Sequence, residues 1–116
     1  MKKFKEYLEE KNIVYRYIHR DRSGLMNNNS LDYSKLSDEE YFEVEEGYLG
    51  LTQPPSYLHS QEIVFAFTNK GEEKYKRLIM LLTKASKKGV IRQKLNLQDY
   101  EIVWNDSDEQ LGLKKK

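Results

Sequence analysis

The sequence predicts one small α+β domain spanning residues 1–116, in which a mainly antiparallel sheet of three or more strands is packed by one long amphipathic helix. Three observations lead to this prediction. The chain has 116 residues, which is the size of one ordinary domain. Segments with the two-residue period of strands and segments with the period of helices both occur. The two kinds do not alternate regularly, so a parallel sheet of repeated strand–helix–strand units is not expected.

The first two predicted elements are a short N-terminal helix and a strand. Residues 2–11 place Phe4, Tyr7 and Leu8 along one side of a helix, while three glutamates face water. From Ile13 to Arg20 the pattern changes to a period of two, which predicts a strand. Odd-numbered residues lie on one face of this strand and even-numbered residues on the other.

The middle of the chain combines a helix signal with a loop. Ser37 and Glu40 form a Ser-x-x-Glu capping box, which favours a helical turn over residues 38–46. Residues 41–45 also alternate as a strand would, so both alternatives remain open. From Gly47 to Ser60, two glycines and two prolines indicate a loop held by apolar anchors.

The clearest pattern is a strand followed by a long amphipathic helix. A strand is predicted over residues 62–68, because the run from Ile63 to Phe67 is apolar on both alternating faces, which is typical of a strand covered on both sides. Asn69 is the predicted N-cap, Glu72 completes a capping box, and the helix is expected over about 70–88, until Gly89 ends it. Its apolar stripe consists of Tyr75, Leu78, Ile79, Leu82 and Ala85.

The C-terminal part is predicted to contain one strand and a polar tail. Residues 90–97 fit neither the helical period nor the strand period clearly, so no secondary structure is predicted for them. Residues 100–105 alternate, with Tyr100 and Trp104 on one face, and therefore predict a strand. Residues 106–116 are polar and are expected to fray.

The residue content excludes several kinds of site. The chain has no cysteine, which excludes a disulfide framework, a thiolate zinc site and a catalytic thiol. His19 and His59 do not have the spacing of metal ligands, so no metal and no cofactor are expected. Glycine motifs for nucleotides and for hydrolases are absent. No segment approaches the roughly 20 apolar residues that span a bilayer, so we expect no membrane contact and a cytoplasmic location.

Charge is distributed unevenly although the net charge is +1. Residues 37–46 carry six acidic and no basic side chains, whereas residues 61–100 carry nine basic and four acidic ones. Such poles can orient a charged partner, although charged blocks this short are more often ordinary solvated surfaces.

The leading functional hypothesis is protein binding by the acidic aromatic segment over residues 38–48 and the proline-containing loop over residues 51–59. Carboxylates beside aromatic side chains suit a basic surface of another protein, and prolines reduce the ordering cost of binding. In the competing interpretation, the aromatic side chains pack in the core, and the acidic side chains beside them are simply exposed to solvent. The predicted protein-binding residues are Glu40, Tyr41, Glu43, Glu45, Glu46, Tyr48, Pro54, Pro55 and Tyr57. The hypothesis describes a non-catalytic inhibitor, immunity protein or phage-type accessory protein.

Two alternatives rest on basic residues. The first is nucleic-acid binding by the cationic face of helix 70–88, which would track a phosphate backbone. Its candidate residues are Lys76, Arg77, Lys84, Lys87, Lys88 and Arg92. The second is a phosphate-handling enzyme, because the guanidinium groups of Arg16 and Arg20 and the imidazole of His19 suit anion binding and proton transfer. The sequence does not indicate an oligomeric state.

Overall fold

The computed structural model describes residues 12–20, 28–60 and 62–116. Within these residues the chain forms three α-helices and five β-strands. The helices are α1 (Asp38–Gly50), α2 (Asn69–Lys74) and α3 (Lys76–Ala85). The strands are β1 (Ile13–His19), β2 (Ile63–Phe67), β3 (Val90–Asn96), β4 (Tyr100–Asp106) and β5 (Gln110–Lys115). The predicted helix over 2–11 lies outside the described residues.

The strands form one antiparallel sheet in the order β3-β1-β2-β5-β4. Strands β1 and β3 pair along their whole length, and β5 pairs with both β2 and β4. In the described part of the chain, β1 meets β2 in one register pair, Tyr15 with Phe67. The sheet therefore consists of two well-paired parts that join at a short contact.

Among the described residues, the core has three apolar clusters. The first lies between α1 and α3 and centres on Val44, Leu78 and Leu82. The second joins the sheet to the helices through Tyr17, Phe67, Tyr75 and Ile79. The third lies on the opposite face of the sheet, because its members alternate with those of the second along the same strands. It consists of Val14, Ala66, Leu95, Leu111 and Leu113.

These elements confirm the predicted α+β class with a mainly antiparallel sheet. The strands predicted over 13–20, 62–68 and 100–105 correspond to β1, β2 and β4. The unassigned segment 90–97 is the edge strand β3.

Helix α1 answers the question that the sequence left open between helix and strand. The side chain of Ser37 accepts a hydrogen bond from the backbone N–H of Glu40 at 3.1 Å, and the side chain of Glu40 accepts one from Ser37 at 3.0 Å. This capping box starts a helix of 13 residues that continues to Gly50, beyond the predicted 38–46. The extension is favoured because it packs Tyr48 as well as Val44 against the cluster between α1 and α3.

The predicted single helix over 70–88 is wrong in three respects. It is divided at Tyr75, whose φ of −102° and ψ of 15° are not helical, and whose ring packs on Phe67 with 5.7 Å between centroids. Thr68, not Asn69, is the N-cap, because its hydroxyl accepts from Gly71 N–H and donates to the carbonyl of Asp108. The helix ends at Ala85, and Gly89, with a φ of +94°, forms the turn into β3.

The predicted frayed tail over 106–116 is also wrong. Strand β5 lies between β2 and β4, where Leu111 and Leu113 are buried. A tight turn brings it back along β4, with Ser107 and Asp108 at positive φ and a 2.8 Å hydrogen bond from Glu109 N–H to the carbonyl of Asp106. Two alternating leucines among polar residues become a core strand because they face the apolar residues of β2.

Candidate functional site

Helix α1 has an exposed face that is both apolar and acidic. Phe42 is 59% exposed and Leu49 is 87% exposed. They are seven residues apart, so they lie on the same side of the helix two turns from each other. We call this surface the α1 face. It consists of Asp38, Glu39, Phe42, Glu45, Glu46 and Leu49.

The opposite side of α1 binds helix α3 through ion pairs. Glu40 lies 2.8 Å from Lys84 Nζ, and Glu43 lies 2.6 Å from Arg77 Nε. The hydrogen bond from Lys84 lowers the pKa of Glu40 to about 2, and the hydrogen bond from Arg77 lowers the pKa of Glu43. Glu40 and Glu43 therefore hold α1 on α3, whereas Glu45 and Glu46 lie on the exposed α1 face.

The aromatic residues of the acidic segment are divided between surface and core. Tyr41 is 42% exposed and contacts Tyr33 edge to face, with 5.5 Å between ring centroids. A hydrogen bond to Glu45 raises the pKa of Tyr41. Tyr48 packs against the cluster between the helices, and burial raises its pKa to about 12. Tyr48 is therefore an anchor of α1.

Sequence reasoning placed Phe42 in the acidic aromatic segment but did not pair it with Leu49 as an exposed apolar surface. The two residues are seven positions apart in the sequence. This spacing places them on the same side of a helix, but only if the helix extends to Gly50. The prediction of a helical turn that stops at residue 46 assigned Leu49 to the loop.

The loop over residues 51–60 has an exposed tip and a fixed base. Tyr57 is 82% exposed, whereas Pro54 and Pro55 are half-buried. The side chain of Gln110 on β5 donates a 3.2 Å hydrogen bond to the carbonyl of Thr52 and so attaches the loop to the sheet. Together with β2 and α3, the loop borders an open cavity of about 630 Å³.

The predicted cationic residues do not share one helix face. Arg77 and Lys84 lie on α3 in the ion pairs with α1. Arg92 is on β3, where its guanidinium binds Glu72 at 2.5 Å and stacks 3.5 Å from the Tyr15 ring centroid. The remaining three are Lys76, exposed on α3, and Lys87 and Lys88, exposed in the turn after it. Nucleic-acid binding therefore stays a prediction. Three of its six candidate residues, Arg77, Lys84 and Arg92, already form ion pairs with carboxylates.

The predicted anion-binding residues of β1 are divided between the two faces of the sheet. His19 is 1% exposed, and its Nδ1 lies 3.2 Å from the hydroxyl of Ser86. Arg16 and Arg20 occupy even-numbered positions, so strand alternation directs them to the face opposite His19. Arg16 lines the cavity. The strand itself therefore does not gather these three side chains, and the enzymatic alternative stays a prediction.

The described ranges contain no group of three or more His, Asp and Glu side chains placed to hold a metal ion. Among the same residues, none of the helices combines the length and the apolar character needed to cross a membrane. No protein-family model, curated protein or solved structure matches the chain. The α1 face and the cavity are the two prominent surface features of the described part of the chain.

Proposed function

We propose that this chain is a non-catalytic protein-binding module, and that the α1 face binds an apolar patch surrounded by basic residues on a partner protein. The observation that carries the proposal is the exposure of Phe42 and Leu49 on one side of α1, among four carboxylates. Exposed apolar side chains within a polar surround are typical of protein interfaces.

The two apolar side chains would supply affinity. Full burial of a phenylalanine or leucine side chain contributes about 1.5–3 kcal/mol, so covering both is a substantial part of a moderate binding free energy. The surrounding carboxylates would mainly orient the partner protein and increase the rate at which the two proteins associate.

The way α1 is attached to the domain favours binding. Val44 is 1% exposed in the cluster with α3, and the ion pairs of Glu40 and Glu43 lie on the same side. The helix is therefore held in place before a partner arrives, which reduces the ordering cost of association.

The proposed partner surface is one that normally attracts negative charge, such as a nucleic-acid-binding groove of another protein. Asp38, Glu39, Glu45 and Glu46 would occupy positions that phosphates otherwise take. Binding there would make this chain an inhibitor of its partner.

The proposal is tested by affinity capture from the native lysate with quantitative mass spectrometry. We expect a protein retained by the wild type to be lost with Phe42→Ser/Leu49→Ser and with Glu45→Lys/Glu46→Lys. The matched control is Met80→Ser, which removes an exposed apolar side chain from α3, where Met80 is 52% exposed. Met80→Ser should retain the partner.

The same experiment separates this proposal from nucleic-acid binding. Capture of nucleic acid without protein, lost in Lys76→Glu/Lys88→Glu and weakened steeply by salt, would favour the cationic residues instead. Equal recovery of the retained protein with the wild type and both α1-face variants would disprove the proposal.

A further inference from the structure

The cavity lies where the two parts of the sheet separate. Beyond the Tyr15–Phe67 pair, β1 continues along β3 while β2 continues along β5. The cavity, of about 630 Å³, is bounded by β2, by helix α3 and by the loop attached through Gln110. Known ligand pockets commonly measure about 300–1,000 Å³, so the space suits a small molecule.

The walls of this cavity are mostly apolar. Residues of β2 and α3 line it, and Leu51 and Pro54 contribute from the loop. Among the lining residues from β2 and α3 are Ile63, Val64, Phe65, Leu78, Ile79 and Leu82. Such walls favour the hydrocarbon body of a ligand, because its transfer from water to this surface is favourable.

One permanent charge is present among the lining residues that the structure describes. Arg16 is the first residue of β1 beyond the contact with β2, and the residue is half-buried. Strand alternation places it on the sheet face opposite α3, and the cavity extends to that face at the gap between β1 and β2, since Val64 and Ala66 of the same face also belong to its lining. Over residues 12–20, 28–60 and 62–116, no carboxylate forms an ion pair with it within 4.0 Å. No aspartate or glutamate belongs to the described lining. A guanidinium beside an apolar cavity selects for a planar anion such as a carboxylate.

We propose that the cavity binds an amphiphilic monocarboxylate, with its hydrocarbon body against β2 and α3 and its carboxylate on Arg16. His59 and Ser60, both exposed, are further polar residues of the lining. The binding site is separate from the α1 face, so it does not depend on the proposed protein partner.

The first test is isothermal titration calorimetry of the whole chain with decanoate, decanol and decylammonium. We expect decanoate to bind most tightly and decylammonium most weakly. Arg16→Gln should weaken decanoate binding about tenfold or more, as expected for loss of a charge-assisted hydrogen bond, and leave decanol binding unchanged. Lys94→Gln, which removes one positive charge from β3, should leave both unchanged.

The second test uses Trp104, the single tryptophan of the chain, as a reporter. Its ring contacts Phe65, a lining residue, with 6.2 Å between centroids. Decanoate carrying bromine at its terminal carbon should quench Trp104 fluorescence more than plain decanoate at equal saturation. The proposal is overturned by a lack of decanoate binding, by equal affinity for decanoate and decylammonium, or by equal weakening in Arg16→Gln and Lys94→Gln.

Discussion

Gly71 is the residue at which helix α2 meets the turn between β4 and β5. A Cβ atom at this position would lie 1.9 Å from the backbone oxygen of Glu109. The same oxygen accepts a 3.1 Å hydrogen bond from Thr68 N–H, so backbone from the two segments is in direct contact. The absence of a side chain at Gly71 therefore allows the helix start to dock on the hairpin.

We predict that Gly71→Ala destabilises the protein by about 3 kcal/mol, because the methyl group must displace backbone rather than a flexible side chain. Gly50→Ala is the matched control, since nothing lies within 4 Å of a Cβ there. Alanine at a helix end should change stability by less than about 1 kcal/mol. Urea unfolding of both variants provides the measurement, and equal midpoints would contradict the close contact.

At the scale of elements, the pairing of α1 with α3 decides which charges face solvent. Arg77 and Lys84 of α3 bind Glu43 and Glu40 of α1, so an acidic and a basic segment that the sequence suggests as rival binding surfaces partly neutralise each other. Both pairs are partly exposed, so we expect them to orient the helices more than to stabilise the fold.

The Glu40–Lys84 pair predicts a specific dependence of stability on pH. The folded-state pKa of Glu40 is about 2, below its ordinary value of 4.5, so folding favours the ionised form. Its stabilising contribution is complete above about pH 4.5 and is lost as the pH falls towards about 2. Glu40→Gln should therefore be less stable than the wild type at neutral pH, and the difference should vanish in acid.

Denaturant midpoints measured across this pH range would check the prediction. Glu46→Gln, which removes a carboxylate on the exposed side of the same helix, is the control and should keep the pH dependence of the wild type. A constant difference between Glu40→Gln and the wild type from neutral pH to acid would argue against the ion pair.

At the scale of the whole molecule, the last strand completes the sheet. Strand β5 joins β2 to β4, and Leu113 on it is 0% exposed. Without β5, the edge of β2 would be unpaired, and the apolar cluster that contains Ala66 would lose Leu111 and Leu113.

We therefore predict that a chain ending at Asp108 has no cooperative unfolding transition in circular dichroism. The matched control is Lys115→Ala, an exposed position at the end of β5, which should unfold as the wild type does. A cooperative transition with a wild-type denaturant slope in the shortened chain would show that β5 is not needed for the core.

Much of the fold was predictable because its signals are local. The apolar run of β2, the alternation in β1 and β4, and the capping box at Ser37 depend on side chains within a few residues of one another. The break at Tyr75 was not predictable in this way, because it follows from packing of the tyrosine ring on Phe67, a residue of another element.

The candidate site was only partly predictable for the same reason. The acidic segment was recognised from composition, but the sequence grouped Glu40 and Glu43 with Glu45 and Glu46. Glu40 and Glu43 differ from the other two because they form ion pairs with α3. The sequence does not show this, since Arg77 and Lys84 come more than thirty residues later in the chain. The cavity had no sequence signal, because it results from the separation of β1 and β2.

By itself, the sequence determined the α+β class, three of the strands and the start of α1, because hydrogen bonding and periodicity within a segment are encoded in that segment. The tertiary structure alone decided that β5 is a core strand, that Phe42 and Leu49 are exposed together, and that Arg16 lines a cavity. The physical reason is that burial, ion pairing and cavities arise between segments that are distant along the chain.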